Sequence, residues 1–153
     1  MRIIAHIWIH QPLNCVYQTL ANHSLDGSWR TGVTGIQQSH PGTVQVGTCL
    51  EETLHLMGRT LHTDSTVVYV QEGVRHDFVG TCGGFPLSGS RSFQASMNRT
   101  RVTLELQLTP PESWLPYVSL LKFFLHQRIR QDLRQLKSLL ERTSHSPQTP
   151  SYS

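Results

Sequence analysis

Apolar residues recur every three or four positions from Val118 through Leu121, Leu125, Ile129, Leu133 and Leu136 to Leu140, the spacing of one helical face. This pattern predicts a helix over 112–143. Burying a large aliphatic side chain is worth a gross ~1.5–3 kcal/mol, so a stripe of this length has to dock on another element. Arg130, Arg134 and Lys137 follow their own helical spacing and form a solvated basic face. Pro116 suits a first helical turn, and Pro110-Pro111 ends the strand before it.

The preceding segments alternate instead. In Arg2–Ile9, Ile3, Ala5, Ile7 and Ile9 share the predicted inward face, with His6 and Trp8 opposite. Pro12 opens a short helix carrying Leu13, Val16, Tyr17 and Leu20, Asn22–Gly27 interrupts it, and a second helical turn is expected near Trp29. A hairpin turn is expected at His40–Gly42, and strands at 44–57, 59–71, 75–81, 91–96 and 101–109. The last is the clearest, with Val102, Leu104, Leu106 and Leu108 alternating with Thr103, Glu105 and Gln107. The expected domain is 1–143, with a disordered tail over 144–153 rich in Ser, Pro and Thr.

The chain has 153 residues and 37% hydrophobic content, enough for one core. Its charge of +3 is concentrated at 122–142, where six Lys or Arg face two Asp or Glu. No aromatics interleave with the charges from Arg128 to Arg142, so nucleic-acid binding is not expected, while transient contact with an anionic membrane surface stays open. Cys15, Cys49 and Cys82 form neither a disulfide framework nor a CxxC site. With no signal peptide or membrane span read in the chain, a cytoplasmic protein is expected.

Several motifs together carry a family resemblance. They are PLNCVYQTL with Trp29 after it, Gly47-Thr48 opening a strand, Gly58-Arg59 at a hairpin, Phe78–Gly80, Gly83–Pro86, RTRVTLELQL and RIRQDLRQLKSLLE. In this order the chain resembles the polyketide cyclase/dehydrase and lipid-transport branch of the START-like (SRPBCC) superfamily. The resemblance implies an α+β helix-grip fold: a curved antiparallel sheet wrapped around a long C-terminal helix, two short helices after the first strand, and a hydrophobic cavity between sheet and helix. It also implies that GTCGGFPLSGS is a mobile loop near the cavity mouth, where Phe85 and Leu87 could gate the ligand.

Candidate ligand-contacting residues are Trp29, Arg59, Tyr69, Phe85, Arg91 and Phe93, together with Val118, Leu121 and Leu125 of the helix. Arg91 shares its strand face with Phe93, and an inward guanidinium could hold an oxygen anion; the alternative is a side chain that snorkels to water. Arg59 matches a frequently basic family position, but its place after Gly58 at a hairpin reads first as a solvated turn residue. His55 and His62 could meet across a hairpin, yet only Asp64 or Glu52 is near enough in sequence to complete a metal shell, so no metal or other cofactor is expected. His76 and Asp77 point to opposite faces. Neither a nucleophile elbow nor a phosphate loop is present.

Three functions follow: a module binding a lipid, isoprenoid or polyketide-like aromatic; a cyclase or dehydratase using Arg91 with a histidine or Tyr69; or a scaffold with a filled interior. A cavity without an inward polar pair favours binding, and an inward Arg91 beside a titratable group favours turnover.

Overall fold

The computed structural model describes residues 1–56 and 58–145. Seven strands form one antiparallel sheet: β1 (Arg2–Ile9), β2 (Val33–Gln38), β3 (Cys49–Leu56), β4 (Arg59–Gln71), β5 (Arg75–Cys82), β6 (Phe85–Ser96) and β7 (Arg99–Leu108). Their order is β1-β7-β6-β5-β4-β3-β2, so β2 to β7 run as a meander and β1 closes beside β7. Helix α1 (Leu13–Leu20) and a 3₁₀ turn (His23–Ser28) follow β1, and helix α2 (Val118–His145) ends the described chain. This is the helix-grip α+β architecture.

The amphipathic stripe explains how α2 is held. Leu133, Leu136 and Leu140 are buried against Val16, Tyr17 and Leu20 of α1 and against Ala5, Ile9, Phe93 and Val102 of the sheet. That end of the domain is solid. Towards the start of α2 the packing thins to Leu125 with Ile3, Leu87 and Leu108, and Leu120, Phe123 and Phe124 are exposed. The basic face is partly tied down: Lys137 donates to the Trp8 carbonyl at 2.8 Å and pairs with Glu141, while Arg128 donates to the carbonyls of Thr31 and His55.

Several boundaries differ from the sequence expectation. Glu112–Tyr117 is a 3₁₀ turn, and the α-helix starts only at Val118, because Pro116 has no N–H to continue an α-helical ladder. The helix runs to His145, past the expected end at Thr143; the rest of the expected tail lies outside the described residues, as does Met57. Strand β3 begins at Cys49, since Val44 leaves the sheet to pack on Leu50 and Val67. In β1, Ile3, Ala5 and Ile9 are buried and Ile7 partly so.

The glycine-rich stretch expected as a mobile loop is a β-hairpin. Cys82 pairs with Phe85 across the two-residue turn Gly83-Gly84, whose φ values of 57° and 86° match the turn that best joins twisted strands. Further along β6, Gly89 lets the Phe78 ring and the β7 backbone close in: a Cβ there would lie 2.5 Å from Phe78 Cζ and 2.8 Å from the Glu105 carbonyl oxygen. Two hairpin tips, β3–β4 and β5–β6, thereby come to the same end of the domain as the start of α2.

Candidate functional site

Between the inner sheet face and the first half of α2 lies a cavity of about 820 Å³. Leu54, Leu56, Leu61, Phe78, Leu104 and Leu106 contribute from the strands, and Leu121, Leu125 and Ile129 from the helix. These positions alternate along their strands because inward residues recur at every second position. The two hairpin tips and the 3₁₀ turn carrying Trp114 and Tyr117 border one end, where Phe85 stacks edge-on against Trp114 at 5.4 Å. The other end is polar.

That polar end is assembled from the His23–Ser28 turn, Arg30 just after it, and strands β3, β5 and β6. Asp26 is fully buried and accepts from both terminal nitrogens of Arg91, with Nη1 to Oδ1 at 3.0 Å. Arg91 Nη1 also donates to the Leu20 carbonyl at 2.9 Å, and its guanidinium lies 5.4 Å from the Trp29 ring centroid. Arg30, one turn after Asp26, donates to Asp26 Oδ2 at 3.0 Å and makes a two-pronged bond to Glu52 at 2.7 and 3.0 Å. Two guanidinium groups thus close on two carboxylates. Burial alone would raise the Asp26 pKa, but Arg91, His23 and Arg30 overcome it and hold the carboxyl well below its ordinary value. Arg30 is correspondingly raised: burial opposes its charge, and Glu52 and Asp26 outweigh the burial.

Beside this network, His23 Nε2 and His76 Nε2 lie 2.9 Å apart. Burial first, then the Arg91 charge, pushes His23 well below the usual imidazole value and His76 down to about 3. Both rings are therefore neutral at pH 7, and one Nε2 donates to the other. If His76 donates, His23 Nδ1 carries its proton toward Asp26 Oδ2, 3.7 Å away, and His76 Nδ1 is a bare acceptor. The opposite tautomers would aim a lone pair at the carboxylate and orphan a buried N–H, which costs more.

Six sequence candidates line the cavity: Trp29, Arg91, Phe85, Leu121, Leu125 and Arg59, the last exposed at the β3–β4 hairpin. Three do not. A bulge in β4 between Val67 and Tyr69 shifts the register, and Tyr69 is exposed, with its hydroxyl donating to Gln71. Phe93 points inward but sits in the solid core, edge-on to Tyr17 at 5.2 Å. Val118 starts α2 without reaching the cavity. Arg91 does not snorkel: it is 5% exposed and donates to Asp26 and the Leu20 carbonyl.

Sequence reasoning missed His23, Asp26 and Arg30, and considered Glu52 only as a metal ligand. The one available signal was the local spacing of His23, Asp26 and Arg30 around Trp29, which a helical turn gathers on one side. His55 and His62 are exposed and face Thr60 and Thr53, and among the described residues no group of three or more His, Cys, Asp or Glu could hold a metal ion.

No family model matches the chain, and no curated protein matches it. Solved structures do. The protein TTHA0849 from Thermus thermophilus aligns with a TM-score of 0.79 and 18% identity, over 94% of this chain and 99% of the other. The Zhui aromatase/cyclase from Streptomyces sp. R1128 aligns at 0.80 with 11% identity, over 97% and 98%. A START superfamily protein from Mycobacterium smegmatis aligns at 0.72 with 10% identity, over 93% and 98%. Strand order, the gripping helix and these near full-length alignments agree, and the chain has the START-like (SRPBCC-type) helix-grip fold.

Proposed function

We propose that this chain binds a hydrophobic small molecule in the cavity between the sheet and α2. The observation that carries the reading is the cavity itself: about 820 Å³ of mostly apolar wall ending in a few fixed polar groups, the usual form of a small-molecule site. A lipid, an isoprenoid or a polyketide-like aromatic fits that description. The three free cysteines accord with a reducing cytoplasm, and among the described residues no helix is long and apolar enough to cross a membrane.

A cyclase or dehydratase is the second reading, favoured by His23 and Arg91 meeting at one end of the cavity and by the Streptomyces neighbour's description as an aromatase/cyclase. Binding stands ahead of it because Arg91 is already neutralised by Asp26 and has no unpaired charge to offer a developing oxyanion.

Binding of the neutral dye Nile red, followed by fluorescence, tests the reading. The wild-type chain is expected to take up the dye with a 1:1 limit, and Leu121→Trp, which fills the cavity from α2, to weaken uptake about tenfold or more. Equal uptake by the variant would place the dye elsewhere and remove the support for a cavity ligand.

A further inference from the structure

We propose that the ligand enters with an uncharged oxygen leading, a hydroxyl or carbonyl that hydrogen-bonds to His23, and that the deep end of the cavity rejects a carboxylate or phosphate. This rests on the ligand-binding reading above and adds the chemistry of the end that reaches the polar cluster.

Charge balance and spare bonding capacity decide what the deep end accepts. There, Asp26 and Glu52 are matched by Arg30 and Arg91, and each guanidinium already donates to a carboxylate. A buried anion needs a partner charge to offset the water it loses, and this cluster has none to spare. Arg128 and Asp132, one turn apart on α2, offset each other's charge and are bonded to the carbonyls of Thr31 and His55 and to the Thr31 N–H respectively. The cation that differs is Arg59, exposed at the mouth, where an anionic group would trail rather than lead.

His23 supplies the group a neutral oxygen can use. It lines the cavity, its Nε2 is occupied by His76, and its Nδ1 stands 3.7 Å from Asp26, beyond hydrogen-bonding distance. In the favoured tautomer that nitrogen carries a proton, so a ligand hydroxyl or carbonyl can accept it. Phe78, edge-on to His23 at 5.9 Å, and Trp29 border the same place and suit an aromatic or alicyclic ring behind that oxygen.

The experiment measures calorimetric affinities of naphthalene, 2-naphthol and 2-naphthoate at neutral pH, in the wild-type chain and in Arg59→Gln, which removes the cation at the mouth. 2-Naphthol is expected to bind Arg59→Gln about tenfold or more tightly than 2-naphthoate. His23→Phe is expected to bring 2-naphthol down to the affinity of naphthalene, and Glu52→Gln, by uncovering Arg30, to raise 2-naphthoate affinity. If His23→Phe does not fold, the Glu52→Gln and Arg59→Gln comparisons still decide. 2-Naphthoate binding Arg59→Gln as tightly as 2-naphthol would overturn the inference and leave the cavity reading intact. Binding of none of the three compounds would overturn both.

Discussion

Replacing Asp26 by Asn keeps the shape of the side chain and deletes its charge, which makes it the sharpest probe of the buried network. Asp26 is fully buried and is the shared acceptor of Arg91 and Arg30. In the variant, two guanidinium groups face Glu52 alone, and of the two prongs of the Arg91 fork one meets the amide oxygen and the other the amide N–H, which repels it. Removing one partner of a buried ion pair costs about 3–5 kcal/mol, against a total stability of about 5–15 kcal/mol for a typical domain. With an m-value of about 2 kcal/mol per M of urea, the unfolding midpoint is expected to fall by about 2 M. Circular dichroism and tryptophan fluorescence should report the same midpoint if unfolding is two-state. The companion variant Asp26→Asn/Arg91→Met removes both charges and is expected to recover part of the loss, because an uncompensated buried cation costs more than an absent pair. A loss under about 1 kcal/mol for Asp26→Asn would refute the reasoning, since it would mean that Arg91 reaches water or another acceptor. So would a double variant that falls by the full sum of the two single losses.

The histidine pair predicts how stability follows pH. Because His23 and His76 have pKa values below the ordinary 6.5 in the folded chain, the unfolded chain takes up protons first as pH falls. Their contribution is therefore fully present above about 6.5 and lost as pH falls below it, for His76 down toward about 3, at up to about 1.4 kcal/mol per pH unit for each ring. Asp26, whose pKa is lowered from 3.8, adds to the loss only below that value. Urea midpoints between about pH 8 and 4 should show the decline, and His76→Phe should make it shallower; a flat profile would mean the rings are not buried as neutral species. For the sheet, Gly89→Ala is expected to cost about 1–3 kcal/mol, because neither the Phe78 ring nor the Glu105 carbonyl can yield freely. Gly35→Ala, whose new methyl would lie 3.8 Å from its nearest neighbour, should cost almost nothing, and similar losses at both sites would refute the close-approach argument.

The sequence was most informative where one periodicity ran uninterrupted. Leu133, Leu136 and Leu140 repeat at helical spacing and are buried as that spacing requires, and the alternation through Val102, Leu104, Leu106 and Leu108 lies in β7. It misled where a local irregularity changed which way a side chain points. The bulge after Val67 put Tyr69 outside, and the Gly83-Gly84 turn made a hairpin out of a stretch whose glycine content looked like a loop. The inward direction of Arg91 followed from parity with Phe93, but its role did not. Its partner Asp26 lies 65 positions earlier, on a short turn with no strong pattern of its own.

Residue spacing specifies a set of amphipathic faces: a helix with an apolar stripe and strands with apolar sides, which can shed water only by closing on one another. How far apart those faces stand and which charges meet follow from the packing of the whole domain. The stripe on α2 is continuous, yet its later half fills the core with α1 while its earlier half borders a cavity of about 820 Å³. That difference depends on where α1 and the 3₁₀ turn pack against the sheet, and the same packing closes Asp26, Arg30, Glu52 and Arg91 into one neutral network. Spacing along a chain encodes faces; the separation of faces and the pairing of distant charges arise only when those faces have closed.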